Sequence, residues 1–368
     1  MKHSFISNFN RELIILISSA FFIAVTIILM SELCLYRMGE TTPYDEVIQL
    51  QLQNNTIYGT KYFNATNKYK ILGIEKFQPN LVILGSSRIM PLRQQLFLNR
   101  YKIYNAATGD SIGKGLEGMK DIIDSFGDAS PPSTVIIGID PWLLNPTHNR
   151  IRRSFLYNIL SKHKGTSFFN FLERANGFIR NGGYRFKAYQ LLLKEKRNWC
   201  QFVFNKRYDL GIGLNAKFFN SGFRLDGSFQ LPDNCSPDYF SVVEYKKQLS
   251  DNWKFPAAYD IDPEAKSDLE KIFQELNDKG IEVICIILPL YPNFYKAIQE
   301  LPTHAIFNDK FEDTVMAIAK ENDISCYNFS FIDLPSPDKY FDDPIHPNEL
   351  MMQLIVNRMG IGNQSIQQ

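Results

Sequence analysis

The chain has 368 residues, 40 lysines and arginines against 39 acids, and 45% hydrophobic side chains, enough for one large core or a core plus a subdomain. Its balanced charge gives no global pull toward nucleic acid, and no nucleic-acid partner is expected. The five cysteines, Cys34, Cys200, Cys235, Cys285 and Cys326, show no C-x-x-C or Cys/His ligand spacing, so no zinc site is expected, and the functional reading reached below implies no metal or organic cofactor. Cys200 and Cys235 lie in polar surroundings and can pair in an oxidising compartment.

Residues 1–12 read as a short tail that carries Lys2 and Arg11. The run LIILISSAFFIAVTIILM (13–30) has no charge, and extended to Leu35 it is long enough to span a hydrocarbon core of ~30 Å. A transmembrane anchor over 13–35 is expected. The basic flank precedes it, which puts the tail in the cytoplasm and the main domain outside. A cleavable signal peptide is the rival reading, although MSELCLYRM makes a poor cleavage site. A buried core helix is a third, disfavoured because the run is apolar on all sides.

Residues 36–78 read as a polar connecting region containing NNT and NAT, which are glycosylation acceptors only in a eukaryotic secretory pathway. From 79 to 368 the pattern is that of one α/β domain. Apolar runs at LVILGSSR (81–88), YKIYNAATGD (101–110), STVIIGIDPW (133–142), IEVICIILPL (281–290) and ISCYNFSFID (324–333) suit strands buried on both faces of a parallel sheet. Helices are expected over 113–126, over 262–280, before the fifth strand, and over 347–359. Asp262 as N-cap, Pro263 at the first position and Gly280 past the end frame the second of these. The stretch from about 146 to 258 breaks the rhythm and reads as an aromatic, helical insertion. Between Arg150 and Arg207 it has many basic residues but only two acids, Glu173 and Glu195. It is either a solvated insertion or a cap that touches phospholipid headgroups or a charged glycan. LDGSF (225–229) is a turn signal.

Small and polar residues gather where the strands end: GSSR, NAATGDS, GIDPW and DDPIHPN. Open α/β sheets bind ligands beyond the carboxyl ends of their strands, so these loops are expected to converge on one edge. In FDDPIHPNEL (341–350), Asp343 stands three residues before His346 across a proline-containing turn, within reach of a direct hydrogen bond. A serine becomes a nucleophile when an imidazole takes its proton and a carboxylate holds that imidazole in the right tautomer. An isolated D-x-x-H more often means a capping aspartate and an exposed histidine. The serines of LGSSR on the first strand reverse that balance. GDSI (109–112) matches a Gly-Asp-Ser signature but follows the second strand. There, Gly109 can offer its N–H to a developing oxyanion with no side chain in the way.

The order LGSSR, NAATGD, GID, DPIHP resembles the SGNH/GDSL hydrolase superfamily. More narrowly, it is similar to the membrane-anchored, extracytoplasmic branch that includes D-alanyl transfer and alginate O-acetylation proteins. The resemblance spans roughly residues 80–145 and 280–360 and leaves the anchor and the insertion unmatched. It implies a three-layer α/β/α domain with a parallel sheet. It also implies Ser87 as nucleophile (Ser86 the near alternative), His346 as base, Asp343 as its orienting acid, and the N–H groups of Ser87 and Gly109 as oxyanion donors. The third block of the family usually carries an Asn that completes the oxyanion hole. Here GIDPWLLN puts Asp140 in that place, and an ionised carboxylate repels an oxyanion. Asn145 or Asn105 can reach in instead, Arg88 can stand between Asp140 and the substrate, or Asp140 can only shape the loop. ILPLYPNFY resembles a pocket-lining loop, in which Tyr291 and Tyr295 either contact a sugar face or pack on the insertion.

The expected function is that of a membrane-anchored serine esterase or O-acyltransferase. Its substrates would be ester-linked acyl groups of a cell-envelope glycan or polymer, and a membrane acyltransferase is a possible partner. The other reading is a catalytically impaired SGNH-like protein that binds glycan or such a partner.

Overall fold

A computed structural model describes residues 2–62, 67–108, 111–126, 131–152, 167–193, 211–232, 239–250 and 255–363. Its strands are β1 (Leu81–Leu84), β2 (Ile103–Asn105), β3 (Thr134–Ile139), β4 (Gly222–Phe223), β5 (Phe229–Gln230), β6 (Glu282–Ile287) and β7 (Ser325–Asn328). Five of them form a wholly parallel sheet in the order β2-β1-β3-β6-β7. β4 and β5 pair separately as an antiparallel hairpin. The protein is therefore α/β.

Both faces of the sheet are covered at β1, β3 and β6, which therefore lack polar alternation, whereas the edge strand β7 (SCYN) is part-exposed rather than buried on both faces. Leu81, Ile83, Ile136, Ile284 and Ile286 enter one core with the helices Pro292–Gln299 and Glu349–Arg358. Val82, Leu84, Val135, Ile137, Val283, Cys285 and Ile287 enter the other with Ser111–Ile123, Pro263–Asp278 and Pro302–Glu321. The helix ends follow local chemistry. Asp262 Oδ1 accepts from the N–H groups of Glu264 (3.0 Å) and Ala265 (3.2 Å), and Pro263 needs no partner at the first position. Because β1 lies between β2 and β3, the chain reverses direction across the sheet there. Sheets of this kind bind ligands beyond the carboxyl ends of the strands at such a switch point, which here lies between β1 and β3.

The N-terminal helix Lys2–Met38 contains a span, Glu12–Met38, long and apolar enough to cross a membrane. It does not fray at Leu35. Cys34, Leu35 and Met38 are buried against Phe178, Ala188 and Leu214. Nor is 36–78 a plain polar connector. It forms the helices Tyr44–Asn54 and Asn67–Phe77, and Val47, Ile48, Tyr58 and Tyr69 make a small core with Ile212. Two buried charges hold this region. Glu40 accepts from the backbone N–H groups of Lys61 (2.9 Å), Tyr62 (3.1 Å) and Leu214 (2.7 Å). Burial raises its pKa, against those donors. Lys70 Nζ donates to the carbonyls of Asn105 (2.9 Å) and Gly227 (2.7 Å) and lies 4.0 Å from the Phe223 ring centroid. Burial lowers its pKa well below that of an ordinary lysine, against the field of Asp226. Composition hid both because the partners are distant in sequence. Glu40→Ala strands three buried N–H groups, and a loss of about 2–4 kcal/mol is expected, measurable by urea unfolding in detergent.

The stretch from about 146 to 258 contains the helices Pro146–Arg152, Ser167–Arg180, Gly182–Leu193, Leu214–Phe219 and Val242–Ser250. LDGSF is the tip of the β4–β5 hairpin, where Gly227 takes φ +74°. Gly109, the NAT tripeptide and the Cys200/Cys235 pair lie outside the described residues.

Candidate active site

β1 runs into the glycine of LGSSR. Gly85 has φ +149°, and a Cβ there would meet Ile89 Cγ2 at 2.7 Å. The chain can therefore fold back at once into the 3-10 turn Ser87–Ile89. Ser86 is fully buried and caps this turn, its Oγ accepting from the Arg88 N–H at 3.1 Å. Asn105, at the end of β2, holds the far side. Its amide donates to the carbonyls of Ile89 (2.9 Å) and Leu92 (2.8 Å), and its oxygen accepts from the Ala107 N–H (3.0 Å). Of the two adjacent serines, Ser86 is sealed in the fold and Ser87 keeps partial exposure.

The histidine arrives on a closed loop. Phe341 bridges to Pro347, and the Asp342 N–H donates to the His346 carbonyl at 2.8 Å. Asp343 Oδ1 accepts from the N–H groups of Ile345 (2.8 Å) and His346 (2.9 Å), so it shapes the turn across Pro344. Its Oδ2 lies 2.7 Å from His346 Nδ1, and His346 Nε2 lies 2.9 Å from Ser87 Oγ. With Asp343 ionised, Nδ1–H donates to it, which leaves Nε2 to accept from the serine hydroxyl. Burial works against the Asp343 charge. The hydrogen bonds from His346 and the loop N–H groups outweigh it and hold the carboxyl at about 2, down from 3.8. A depressed folded-state pKa stabilises the fold above the ordinary carboxylate range, and that contribution is lost as pH falls through about 2.

Asp342 behaves oppositely. Burial first, then Asp343 and Glu349, push its carboxyl up from 3.8 to about 6, while His346 pulls it down. Its favourable contribution is complete below pH 3.8 and is lost as pH rises through about 6. Asp342→Asn is therefore expected to raise the thermal midpoint at pH 8 and leave it unchanged at pH 4, as read by calorimetry at the two pH values.

Beneath the serine, Arg88 and Asp140 form a fully buried ion pair, Nη1 to Oδ1 at 2.6 Å. Arg88 also donates from Nε to the Ile345 carbonyl (2.6 Å) and from Nη2 to those of Leu288 (2.9 Å) and Pro289 (2.6 Å). One guanidinium thus joins the loops after β1, β3 and β6 to the histidine loop. Burial lowers the Arg88 pKa and Asp140 opposes that. Asp140 Oδ2 is buried with no hydrogen-bond partner among the described residues.

The remaining candidate residues are committed elsewhere. The Asn145 amide donates to the Pro256 carbonyl at 2.9 Å, and its oxygen caps the following helix through the Thr147 N–H at 2.9 Å. With the Asn105 amide also engaged, neither asparagine reaches Ser87. Tyr291 is buried rather than open to a sugar. It stacks on Tyr239 at 4.4 Å between ring centroids and donates to Asp338 at 2.6 Å. Tyr295 packs 5.2 Å from Phe331. Residues from the 146–258 stretch border the site, with the Phe229 N–H on the Met90 carbonyl (3.0 Å), Arg224 paired with Glu349 and Tyr239 bonded to the Phe341 carbonyl. Ser111 begins the helix Ser111–Ile123.

Ser87, His346 and Asp343 are thus brought together, and Arg88 with Asp140 sits under them. Sequence reasoning missed Asp342 and the structural employment of Asn105. The doubled acid of FDDP was visible for the first, but nothing local signalled the second. Among the described residues, no group of three or more His, Cys, Asp or Glu side chains is placed to hold a metal ion. A serine, an imidazole and a carboxylate in this relay can transfer a proton off the serine and return it to a leaving group. No protein-family model matches the chain, and no curated protein matches it either.

Proposed function

We propose that the protein is a membrane-anchored serine esterase or O-acyltransferase with an SGNH-like three-layer α/β/α domain. The observation that carries this reading is the unbroken relay from Ser87 Oγ through both nitrogens of His346 to Asp343, at 2.9 and 2.7 Å. Ser87 attacks the carbonyl of an acyl ester while His346 Nε2 takes the hydroxyl proton. The backbone N–H groups of Ser87 and Gly109 receive the oxyanion. His346 then protonates the departing alcohol, and the acyl group stays on Ser87. A water or a sugar hydroxyl, deprotonated by His346, releases it.

The N-terminal span supports a single-pass anchor, with the tail cytoplasmic and the main domain extracytoplasmic. That location favours an acylated cell-envelope glycan or polymer as substrate, alone or with a membrane acyltransferase partner. The binding-only alternative rested on Asp140 repelling an oxyanion. With Asp140 buried against Arg88, that reason falls away.

An activated acetyl ester tests the reading. The full chain should show a burst of leaving group and gain one acetyl mass on Ser87, and a sugar acceptor that speeds deacylation would mark a transferase. Steady hydrolysis without a burst, unaffected by Ser87→Ala, would refute it.

A further inference from the structure

We infer that the helix pair Ser167–Arg180 and Gly182–Leu193 lies on the bilayer, seated in the phospholipid headgroup layer beside the emerging anchor. This inference rests on the anchor reading above. Three observations carry it.

The first is position. The charge-free run ends at Met30, and the same helix continues to Met38. The helix pair touches it where it leaves the apolar stretch. Phe178 and Ala188 pack on Cys34, Leu35 and Met38, and Arg174 pairs with Glu32 at 3.6 Å. At 1.5 Å of rise per residue, Glu32 to Leu35 lies within about 8 Å of the end of that run, the depth of a headgroup layer.

The second is the exposed surface. Phe186 is 63% exposed and Tyr189 36% exposed, three residues apart and so neighbours on one helix face. Tyr189 sits edge-on to Phe178 at 6.3 Å, and Phe178 packs with Cys34 and Leu35, which places this face at the level where the anchor emerges. Tyr36, on the anchor helix itself, is 39% exposed. Aromatic side chains at a membrane–water boundary have this arrangement.

The third is charge. The pair carries Arg174, Arg180, Arg185 and Lys187 against the single acid Glu173, in a chain that is otherwise balanced. Apolar and aromatic side chains beside a basic surplus are what an interfacial helix uses to hold phosphate-bearing headgroups.

The consequence for the site is geometric. Glu40 clamps the end of the anchor to the segments at Lys61 and Leu214, and the helix pair braces it from the side. The Ser87 site is then carried at a set height and tilt above the membrane. Its substrate is an acyl group presented near the bilayer rather than one reached by a free-swinging domain.

The test uses the full chain in vesicles of phosphatidylethanolamine and phosphatidylglycerol. A photo-crosslinking benzophenone side chain replaces Phe21, Phe186, Tyr189 or Val243, one at a time. Phe21 lies in the apolar run, and Val243 is 75% exposed on the helix Val242–Ser250. Mass spectrometry should find lipid adducts at 21, 186 and 189, with several-fold more at 186 and 189 than at 243. Adducts at 21 alone, or equal yields at 186 and 243, would overturn the inference and leave the anchor standing. No adduct at 21 would overturn the anchor reading and this inference with it.

Discussion

Ser87→Ala is expected to lower kcat/KM for an ester substrate by about 10³-fold or more, with the thermal midpoint almost unmoved. The Ser87 hydroxyl is bonded to His346 Nε2 at 2.9 Å, and the side chain is only half-buried, so its loss removes the proposed nucleophile and little packing. Ser86→Ala gives the contrasting result. Ser86 Oγ caps the turn from inside the fold, so its loss is expected to cost about 1 kcal/mol of stability while retaining most of the activity. His346→Ala should fall as far as Ser87→Ala, and the double variant little further, because the two act as one unit. Steady-state kinetics beside calorimetry on the same preparations separates these outcomes. Equal activity loss in Ser86→Ala and Ser87→Ala would mean that turn geometry, and not a nucleophile, is being measured.

Arg88→Met is the second large effect. It leaves the Asp140 carboxylate buried and unpaired, and breaking a buried pair from one side costs about 3–5 kcal/mol. Among the described residues, the second Asp140 oxygen already lacks a partner. The same change frees the carbonyls of Leu288, Pro289 and Ile345, so three loops at the sheet edge lose their common donor. Denaturant unfolding should show the loss. Activity should fall further than stability alone explains, because the Ile345 carbonyl sits next to His346. The double variant Arg88→Met with Asp140→Leu should recover part of the stability, since removing both charges avoids the stranded carboxylate. Recovered stability without recovered activity would identify Arg88 as a positioning residue. A double variant no more stable than Arg88→Met would show that the carbonyl bonds matter more than the ion pair.

Much of the sheet was legible because parallel strands buried on both faces leave a plain mark. LVIL is apolar throughout, and TVIIGI and EVICII are apolar behind a single leading Thr134 or Glu282. The Asp262 cap was legible because capping acts over two or three residues. So was the approach of Asp343 to His346, which a short turn across Pro344 brings about. The choice between Ser86 and Ser87 was not a local matter. It depends on which hydroxyl the turn directs toward a histidine 259 residues further on. The employment of Asn105, Asn145 and Tyr291 was equally hidden. Each carries groups that suit a substrate, and each spends them on loops or rings brought up by the fold. The packed region between the anchor and β1 was hidden for the same reason. Its charges look solvated in sequence, yet Glu40 finds partners 21 and 174 residues away.

The most direct measurement of the central claim is covalent labelling of the full chain with a fluorophosphonate, followed by peptide mass spectrometry to place the adduct. Ser86→Ala, Ser87→Ala, Ser111→Ala and His346→Ala would be labelled in parallel. The relay of Ser87, His346 and Asp343 predicts one adduct, on Ser87, kept in Ser86→Ala and Ser111→Ala and lost in Ser87→Ala and His346→Ala. An adduct on Ser86 or Ser111, or none on a folded chain, would contradict it.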